Sequence, residues 1–213
     1  MTKNRSMTVM VVVLAAAVVL TGGLMASNMG FKLNRALLAG ADPGSNSGTQ
    51  TLGLPYNRQV GIDTASELFG DITGVQNIQG YDTATDAFVL YSFGSPDFAL
   101  EAGKGLFVKA GQNTSYIVVG SHDPSAVIQL ESAGAASNSG TNLYAPPYHG
   151  TAATAEALFQ ELGGTNVQLI QGYDTASDAF VLYSFGSPDF NINPGEAYFV
   201  KMGNTLAYAP SHY

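Results

Sequence analysis

Residues 79–98 have the sequence QGYDTATDAFVLYSFGSPDF, and the same stretch returns at residues 171–190. The two copies are identical at 19 of 20 positions, because only Thr85 changes, to Ser177. An offset of 92 residues with this identity does not arise by chance and indicates a tandem repeat. The chain of 213 residues is therefore expected to fold as two related units.

The repeat extends beyond this stretch. The same offset relates residues 45–49 to 137–141, Pro55-Tyr56 to Pro147-Tyr148, and Gly103 to Gly195. Residues 65–69 match 155–159 at an offset of 90, so a two-residue deletion is later compensated. These matches predict a first β repeat over residues 27–120 and a second over residues 121–213.

Alternation of apolar and polar residues predicts short strands in each repeat. In the first repeat, strands at 75–81 and 87–93 flank the turn-forming stretch Asp82 to Asp86, which predicts a hairpin. Residues 106–110 and 115–119 predict a second hairpin around residues 111–114. Another strand is expected at 51–56, where it ends at a proline.

A helix-capping pattern predicts one short helix in each repeat. Thr64 and Glu67 form a capping box before Leu68 and Phe69, and the second repeat keeps the cap as Thr154. The sequence therefore predicts an all-β fold of two homologous small β-sandwich or barrel-like repeats, each with one short helix.

The N-terminal segment predicts export. Lys3 and Arg5 precede an uncharged, apolar stretch from Met7 to Ala26 that ends in small residues. This pattern is typical of a secretory signal peptide over residues 1–26, and an N-terminal membrane anchor is the alternative. In either case we expect the rest of the chain to be extracellular or at the cell surface.

Composition excludes several classes of function. The chain has no Cys, which excludes disulfides, iron–sulfur clusters and thiol catalysis. Its net charge of −8 argues against a nucleic-acid partner, because a phosphate-binding face needs clustered Lys and Arg. We expect no cofactor, and contact with a membrane only if the N-terminal segment is retained.

The segments LGLPY, ASELF, IQGYDTATDAFVLY and LEAGKGLFVKA, with their second copies, carry a resemblance to a known module. They are similar to a tandem β module of secreted bacterial surface proteins. That module has a strand ending in Pro, a short helix, a Tyr-Asp hairpin and a closing Gly-x-Gly-Tyr-Trp/Phe-Val strand. The resemblance implies an extracellular β fold and no catalytic residues. This chain departs from the pattern in having no Trp and in replacing Gly105 by Ala197 in the second copy.

Six repeated aspartates are the candidate ligand-binding residues. Loop carboxylates ligate Ca²⁺ and contact glycans, but aspartate is also favoured in turns for its own backbone hydrogen bonds. Because the same set occurs in both copies, we favour a structural role over a single active site. The six residues are Asp82, Asp86, Asp97, Asp174, Asp178 and Asp189.

No constellation predicts catalysis. His122, His149 and His212 are scattered without metal-ligand spacing, so no metal site is expected. The chain has no phosphate-binding loop and no nucleophile-elbow motif. The aromatic residues of the repeated stretch, Phe93 among them, are expected in the core or on half-buried sheet surface rather than on a sugar-binding face.

These features favour a secreted, non-enzymatic structural protein that assembles with itself as a filament or surface-layer subunit. Sparse Lys leaves sheet edges poorly protected against pairing with another copy. The segment from Ser27 to Leu38 is a ready strand with Phe31, Leu33 and Leu37 on one face, and either folds back or is donated to the next subunit. The alternative function is an extracellular glycan- or calcium-binding module.

Overall fold

A computed structural model describes residues 30–40, 47–58, 61–121, 123–134 and 138–211. The all-β class is confirmed, because strands greatly outnumber two short helices among these residues. The predicted signal peptide, residues 1–26, lies outside the described residues. Within the described ranges no helix is both long and apolar enough to cross a bilayer.

The two repeats contain matching series of elements. The first contains β1 (Phe31–Leu37), β2 (Thr49–Leu52), β3 (Asn57–Arg58), α1 (Ala65–Asp71), β4 (Val75–Asp82), β5 (Ala87–Tyr91), β6 (Leu106–Ala110) and β7 (Thr114–Ser121). The second contains β8 (Ile128–Leu130), β9 (Thr141–Tyr144), α2 (Ala155–Glu161), a 3₁₀ turn (Gly164–Asn166), β10 (Val167–Asp174), β11 (Ala179–Tyr183), β12 (Tyr198–Met202) and β13 (Leu206–Tyr208).

Each repeat is built on a four-stranded antiparallel sheet. The strand order is β2-β6-β4-β5 in the first repeat and β9-β12-β10-β11 in the second. The predicted Tyr-Asp hairpin has the same register in both, since Ile78 pairs with Tyr91 and Ile170 pairs with Tyr183. In each repeat the second strand of this hairpin, β5 or β11, lies at the edge of its sheet.

The second predicted hairpin is wrong, although both of its strands exist. β6 pairs with β2 and β4, whereas β7 pairs with β1 and β3 in a separate three-stranded sheet. In the second repeat, β12 and β13 are likewise in different sheets. The physical reason is that both edges of β6 are already occupied, so the chain leaves through residues 111–113 and crosses to the other layer.

The N-terminal strand β1 folds back onto its own chain. It pairs antiparallel with β7 along its whole length, from Phe31 opposite Gly120 to Leu37 opposite Thr114. Leu37 is fully buried and Leu33 packs against the same core. The equivalent strand of the second repeat, β8, pairs in the same sense with β13.

Two buried amides hold the ends of these strands. The side chain of Gln50 accepts a hydrogen bond from the Leu38 N–H and donates one to the Leu38 carbonyl, both 3.0 Å long. Asn142, the equivalent residue, makes the same pair of bonds with Glu131, each 2.8 Å. A buried amide with both ends paired fixes the position of its neighbour, so the C-terminal ends of β1 and β8 are tied by these side chains to the four-stranded sheets that contain β2 and β9.

Each helix starts as the capping pattern predicts. The Thr64 side chain accepts from the Glu67 N–H, and the Glu67 carboxylate accepts from the Thr64 N–H, which completes the capping box. Thr154 accepts from the Ala157 N–H, but Ala157 has no side chain to return the bond. Leu68 and Leu158 bury one face of the helices in the two cores.

Candidate functional site

The two repeats pack against each other through an aromatic cluster with approximate two-fold symmetry. Phe107 of β6 and Phe199 of β12, which are repeat equivalents, have ring centroids 5.9 Å apart. Tyr81 packs edge-on against Phe199 at 5.2 Å, and its equivalent Tyr173 packs against Phe107 at 5.5 Å. The contact of Tyr81 with Phe199 is thus matched by a contact between their equivalents, Tyr173 and Phe107, and this reciprocity is the arrangement of an isologous dimer interface.

Backbone hydrogen bonds repeat this reciprocity. The Gly53 N–H donates to the Gly195 carbonyl at 2.9 Å, and the equivalent Ala145 N–H donates to the Gly103 carbonyl at 2.8 Å. The Tyr56 side chain also crosses between the repeats, because its ring lies in the core of the second repeat and its hydroxyl donates to the Ala145 carbonyl. The repeats are therefore joined by main-chain bonds as well as by apolar contact.

Asp86 and Asp178 belong to this interface. The Tyr81 hydroxyl and the Ser139 hydroxyl donate to Asp86 Oδ1, at 3.1 and 3.0 Å, and Ser139 lies in the other repeat. Asp178 accepts equivalent bonds from Tyr173 (2.7 Å) and Ser47 (3.1 Å). Burial, followed by the hydrogen bond to Asp86, raises the pKa of Tyr81 to about 12. Both aspartates thus link the hairpin of one repeat to a loop of the other.

Asp82 and Asp174 stabilise their own turns. Asp82 accepts from the Ala84 N–H (3.0 Å) and the Thr85 hydroxyl (2.7 Å), and Asp174 does the same with Ala176 and Ser177. The side-chain hydrogen bond from Thr85, with the backbone bond from Ala84, lowers the pKa of Asp82. This is local turn chemistry of the kind expected for aspartate.

Asp97 and Asp189 cap the helices from outside. Asp97 Oδ1 accepts from the Ser66 N–H, in the first turn of α1, at 2.9 Å. Asp189 Oδ1 accepts from the Glu156 N–H, in the first turn of α2, also at 2.9 Å. The Ser66 hydroxyl lowers the pKa of Asp97, whereas for Asp189 the hydrogen bond from Glu156 lowers the pKa against the opposing effect of burial.

The six candidate aspartates are therefore not brought together into one site. They form three repeat-related pairs, each with a different set of hydrogen-bond donors. In the described part of the chain no group of three or more His, Cys, Asp or Glu side chains is placed to hold a metal ion. His149 packs edge-on against Tyr148, and His122 and His212 lie outside the described residues.

The predicted assembly strand is held between the two repeats. Phe31 stacks on Tyr148 of the second repeat at 4.1 Å with nearly parallel rings. Arg35 of the same strand forms an ion pair with Glu196 at 3.3 Å. Leu33 and Leu37 face the core of the first repeat. Phe31, Leu33 and Leu37, the three residues predicted for the assembly strand, thus all pack against residues of their own chain.

The edge strands β5 and β11 expose a run of apolar side chains at the surface. Their side chains Phe88, Val89 and Leu90, with the equivalents Phe180, Val181 and Leu182, are all exposed. Residues 87–95 and 179–187 contain no charged side chain. Natural edge strands normally carry Lys, Pro or a covering element that prevents pairing. These two strands have neither Lys nor Pro, and in the part of the chain that the structure describes no further strand pairs with them at the edge.

A rigid turn after each edge strand displays a phenylalanine. Phe93 is 94% exposed and its equivalent Phe185 is 84% exposed, so the expectation that Phe93 is core or half-buried is wrong. The Ser95 N–H donates to the Ser92 carbonyl at 2.9 Å, and Gly94 has φ +86°, as in a type II turn. Strand periodicity ends at the turn, which is why it does not predict where Phe93 lies.

The described residues of the second repeat surround a cavity whose equivalent in the first repeat is much smaller. The cavity has a volume of about 390 Å³ and lies among Pro147, Tyr208, Glu161 and neighbouring residues. The equivalent position in the first repeat, beside Pro55 and Tyr116, holds only about 10 Å³. The sequence carried a signal for this difference, since Arg58 and Ile62 are replaced by Gly150 and Ala152.

The cavity is apolar except at one wall. There the Glu161 carboxylate accepts from the Tyr208 hydroxyl (2.5 Å) and the Ser211 N–H (2.8 Å). Burial, followed by this hydrogen bond, raises the pKa of Tyr208 far above its ordinary value, so its hydroxyl stays a donor. Leu158 and Ile192 supply apolar lining. Such a cavity suits an apolar or aromatic group.

Comparisons of the chain with protein-family models, with curated proteins and with solved structures found no match.

Proposed function

We propose that the protein is a non-enzymatic structural subunit that assembles with further copies of itself outside the cell through the edge strands β5 and β11. The location rests on the signal-like sequence of residues 1–26. The assembly rests on one observation: the same uncharged, exposed apolar edge occurs in both repeats.

An exposed apolar strand edge favours another strand as its partner. Among the described residues no strand lies along one side of β5, so its backbone groups there are available to pair. A docked strand would gain main-chain hydrogen bonds and would also cover Val89 and Leu90. Contiguous exposed apolar surface on a soluble protein marks an interaction site.

A second copy of this chain is the partner that fits. Each chain carries two equivalent edges, β5 and β11, so one copy can bind two others and assembly can propagate. The edge is also continuous with the interface between the repeats, because Phe88 packs against Phe107 at 5.7 Å. An incoming strand would therefore extend an aromatic cluster that already exists.

Donation of β1 to a neighbour would require a larger change. The strand would have to leave β7, expose Leu37 and break the Arg35–Glu196 ion pair. Pairing at β5 and β11 breaks no contact within the chain. The alternative of a calcium- or glycan-binding module gains no support from the six aspartates, since their carboxylates accept local or inter-repeat hydrogen bonds.

A charged edge tests this proposal. Leu90 and Leu182, which are 48% and 51% exposed, are replaced together by Lys. The matched control is Ile117→Lys, because Ile117 is 54% exposed but lies on β7, outside both proposed edges, where it pairs with Asn34 of β1. We expect the double variant to stay monomeric in light scattering where the wild type and the control form multimers. Multimers of the double variant like those of the wild type would contradict the proposal.

A further inference from the structure

The cavity of the second repeat lacks the two side chains that fill the equivalent position of the first repeat. In the first repeat the Arg58 side chain fills this position and donates to the carbonyls of Ile62 (2.8 Å) and Leu100 (2.9 Å). Ile62 itself is buried beside it. Gly150 and Ala152 replace these two residues, while Pro147 and Tyr208 preserve the surrounding wall as Pro55 and Tyr116 do.

The cavity lies at the same place in its repeat as the small void. All seven residues around the void of the first repeat have their equivalents around the large cavity of the second, although only Pro147 and Tyr208 keep the residue type. The Tyr–carboxylate bond is present in both repeats, because Tyr116 donates to Asp71 at 2.8 Å as Tyr208 donates to Glu161. The largest losses of side-chain volume are from Arg58 to Gly150 and from Ile62 to Ala152, so the second repeat leaves open the space that these two side chains fill in the first.

The chain also carries a suitable plug on another part of its surface. Phe93 is held almost fully exposed by a turn whose ends, Ser92 and Ser95, are hydrogen bonded through both backbone and side chain. Neither Phe93 nor its equivalent Phe185 lines the cavity. A rigid turn loses little conformational entropy when it binds, and buried aromatic anchors dominate the energy of protein interfaces.

We propose that the cavity of the second repeat receives the Phe93 side chain of another copy of this chain. This proposal rests on the proposed self-assembly. It identifies the surface on which the edge strand β5 and its turn dock. The ring would lie among prolines and tyrosines, which offer apolar and edge-to-face contacts. Glu161 does not oppose it, because its carboxylate is already hydrogen bonded to Tyr208 and Ser211.

The contact is heterologous, since the plug and the cavity are different surfaces. It joins the first repeat of one copy to the second repeat of the next, so first and second repeats alternate along the assembly as they do along the chain. A heterologous contact whose rotation does not close generates an open filament. Phe93, rather than Phe185, is the anchor because it is the more exposed and lies in the repeat whose own cavity is filled.

Complementation between two variants tests this proposal. The first variant, Gly150→Arg with Ala152→Ile, fills the cavity with the residues that the first repeat carries. The second, Phe93→Ser, removes the plug and keeps the cavity, and Phe185→Ser is its matched control. Neither phenylalanine is part of a core cluster, so these substitutions leave the fold intact, which thermal unfolding monitored by circular dichroism checks.

We expect each of the first two variants to assemble much more weakly than the wild type, because only edge pairing remains, and Phe185→Ser to form multimers like the wild type. When the two weakened variants are mixed, Phe93 of the first fits the open cavity of the second. The mixture should therefore form a one-to-one heterodimer at concentrations at which light scattering shows each variant alone to be monomeric. If the filled variant fails to fold, Ala152→Ile alone takes its place in the same mixture.

The outcomes separate this proposal from the proposed function. A monomeric wild type would overturn both. Wild-type multimers together with equal multimers of the filled variant would overturn only the docking of Phe93, and self-assembly through the edges would stand. Absence of the heterodimer from the mixture, or loss of assembly in Phe185→Ser as complete as in Phe93→Ser, would also overturn it.

Discussion

Gly105 and Ala197, which are equivalent residues of the two repeats, face each other so closely that a Cβ on Gly105 would lie 2.2 Å from the Cβ of Ala197. Gly53 and Ala145 form a second such pair, with a corresponding distance of 3.2 Å. The interface has room for only one methyl group at each position. Gly105 therefore has no room for a side chain while Ala197 carries the methyl group.

Moving the methyl group from Ala197 to Gly105 tests whether these two residues face each other across the interface. Gly105→Ala alone should destabilise the protein by about 1–3 kcal/mol, as overpacking of a tight contact does. Adding Ala197→Gly should recover most of that loss, because the second substitution removes the opposing methyl group. Chemical denaturation of the two single variants and the double variant measures the coupling. Additive losses would show that the two residues do not face each other.

Because the cavity of the second repeat is much larger than the void of the first, equivalent substitutions at the two places should affect stability differently. Ile62→Ala removes a buried side chain from the first repeat and should cost about 2–5 kcal/mol. Ala152→Ile, its counterpart, adds the same atoms to an open cavity and should change the free energy of unfolding by less than about 1 kcal/mol. Denaturant titrations compare the two. A large loss for Ala152→Ile would mean that this space is not available.

The aspartates that cap the helices should make the protein sensitive to acid. Hydrogen bonds hold the pKa of Asp97 and of Asp189 below the ordinary value of 3.8, so the folded chain binds fewer protons than the unfolded chain. Their contribution is complete above about pH 5 and is lost as the pH falls from the ordinary value through the folded pKa.

Asp97→Asn with Asp189→Asn checks this by thermal unfolding. The variant should be less stable than the wild type at about pH 6, and should lose less melting temperature than the wild type between about pH 6 and about pH 3. Some loss should remain, because Asp82 and Asp174 also have lowered pKa values. An equal loss in the two proteins would show that these carboxylates are not coupled to folding.

Removal of calcium should leave the fold unchanged. The carboxylates of all six repeated aspartates accept hydrogen bonds from protein donors, and the described residues include no metal-binding cluster. We therefore expect the same melting temperature in excess chelator and in excess Ca²⁺. A clear fall in the chelator would favour the calcium-binding alternative.

Local signals in the sequence predicted both helices and most of the strands, although the strand predicted at 51–56 is Thr49–Leu52 and β3 at Asn57–Arg58 was not predicted. The Thr64–Glu67 capping box and the turn from Asp82 to Asp86 are determined by neighbours along the chain, and both have the predicted form. The pairing of β7 with β1 depends instead on which edges are free after β2 and β4 have flanked β6. No local pattern contains that information, and the second predicted hairpin was wrong for this reason.

The candidate site was only partly accessible from sequence. The small number of Lys residues in the sequence indicates that sheet edges are poorly protected. Which strands become edges, however, depends on the topology of the sheets. The exposure of Phe93 depends on a turn that ends the strand period, and the cavity depends on residues as distant as Gly150 and Tyr208. The replacement of Arg58 and Ile62 by the smaller Gly150 and Ala152 in the second repeat was the sequence signal that pointed to the cavity.

Sedimentation velocity across a range of protein concentrations tests self-assembly most directly. The protein is taken as isolated from its source cells, without changes to its sequence. The account predicts that the sedimentation coefficient rises with concentration and that species larger than the 22.1 kDa chain appear. A single species no larger than that chain, unchanged up to the highest concentration that stays in solution, would contradict it.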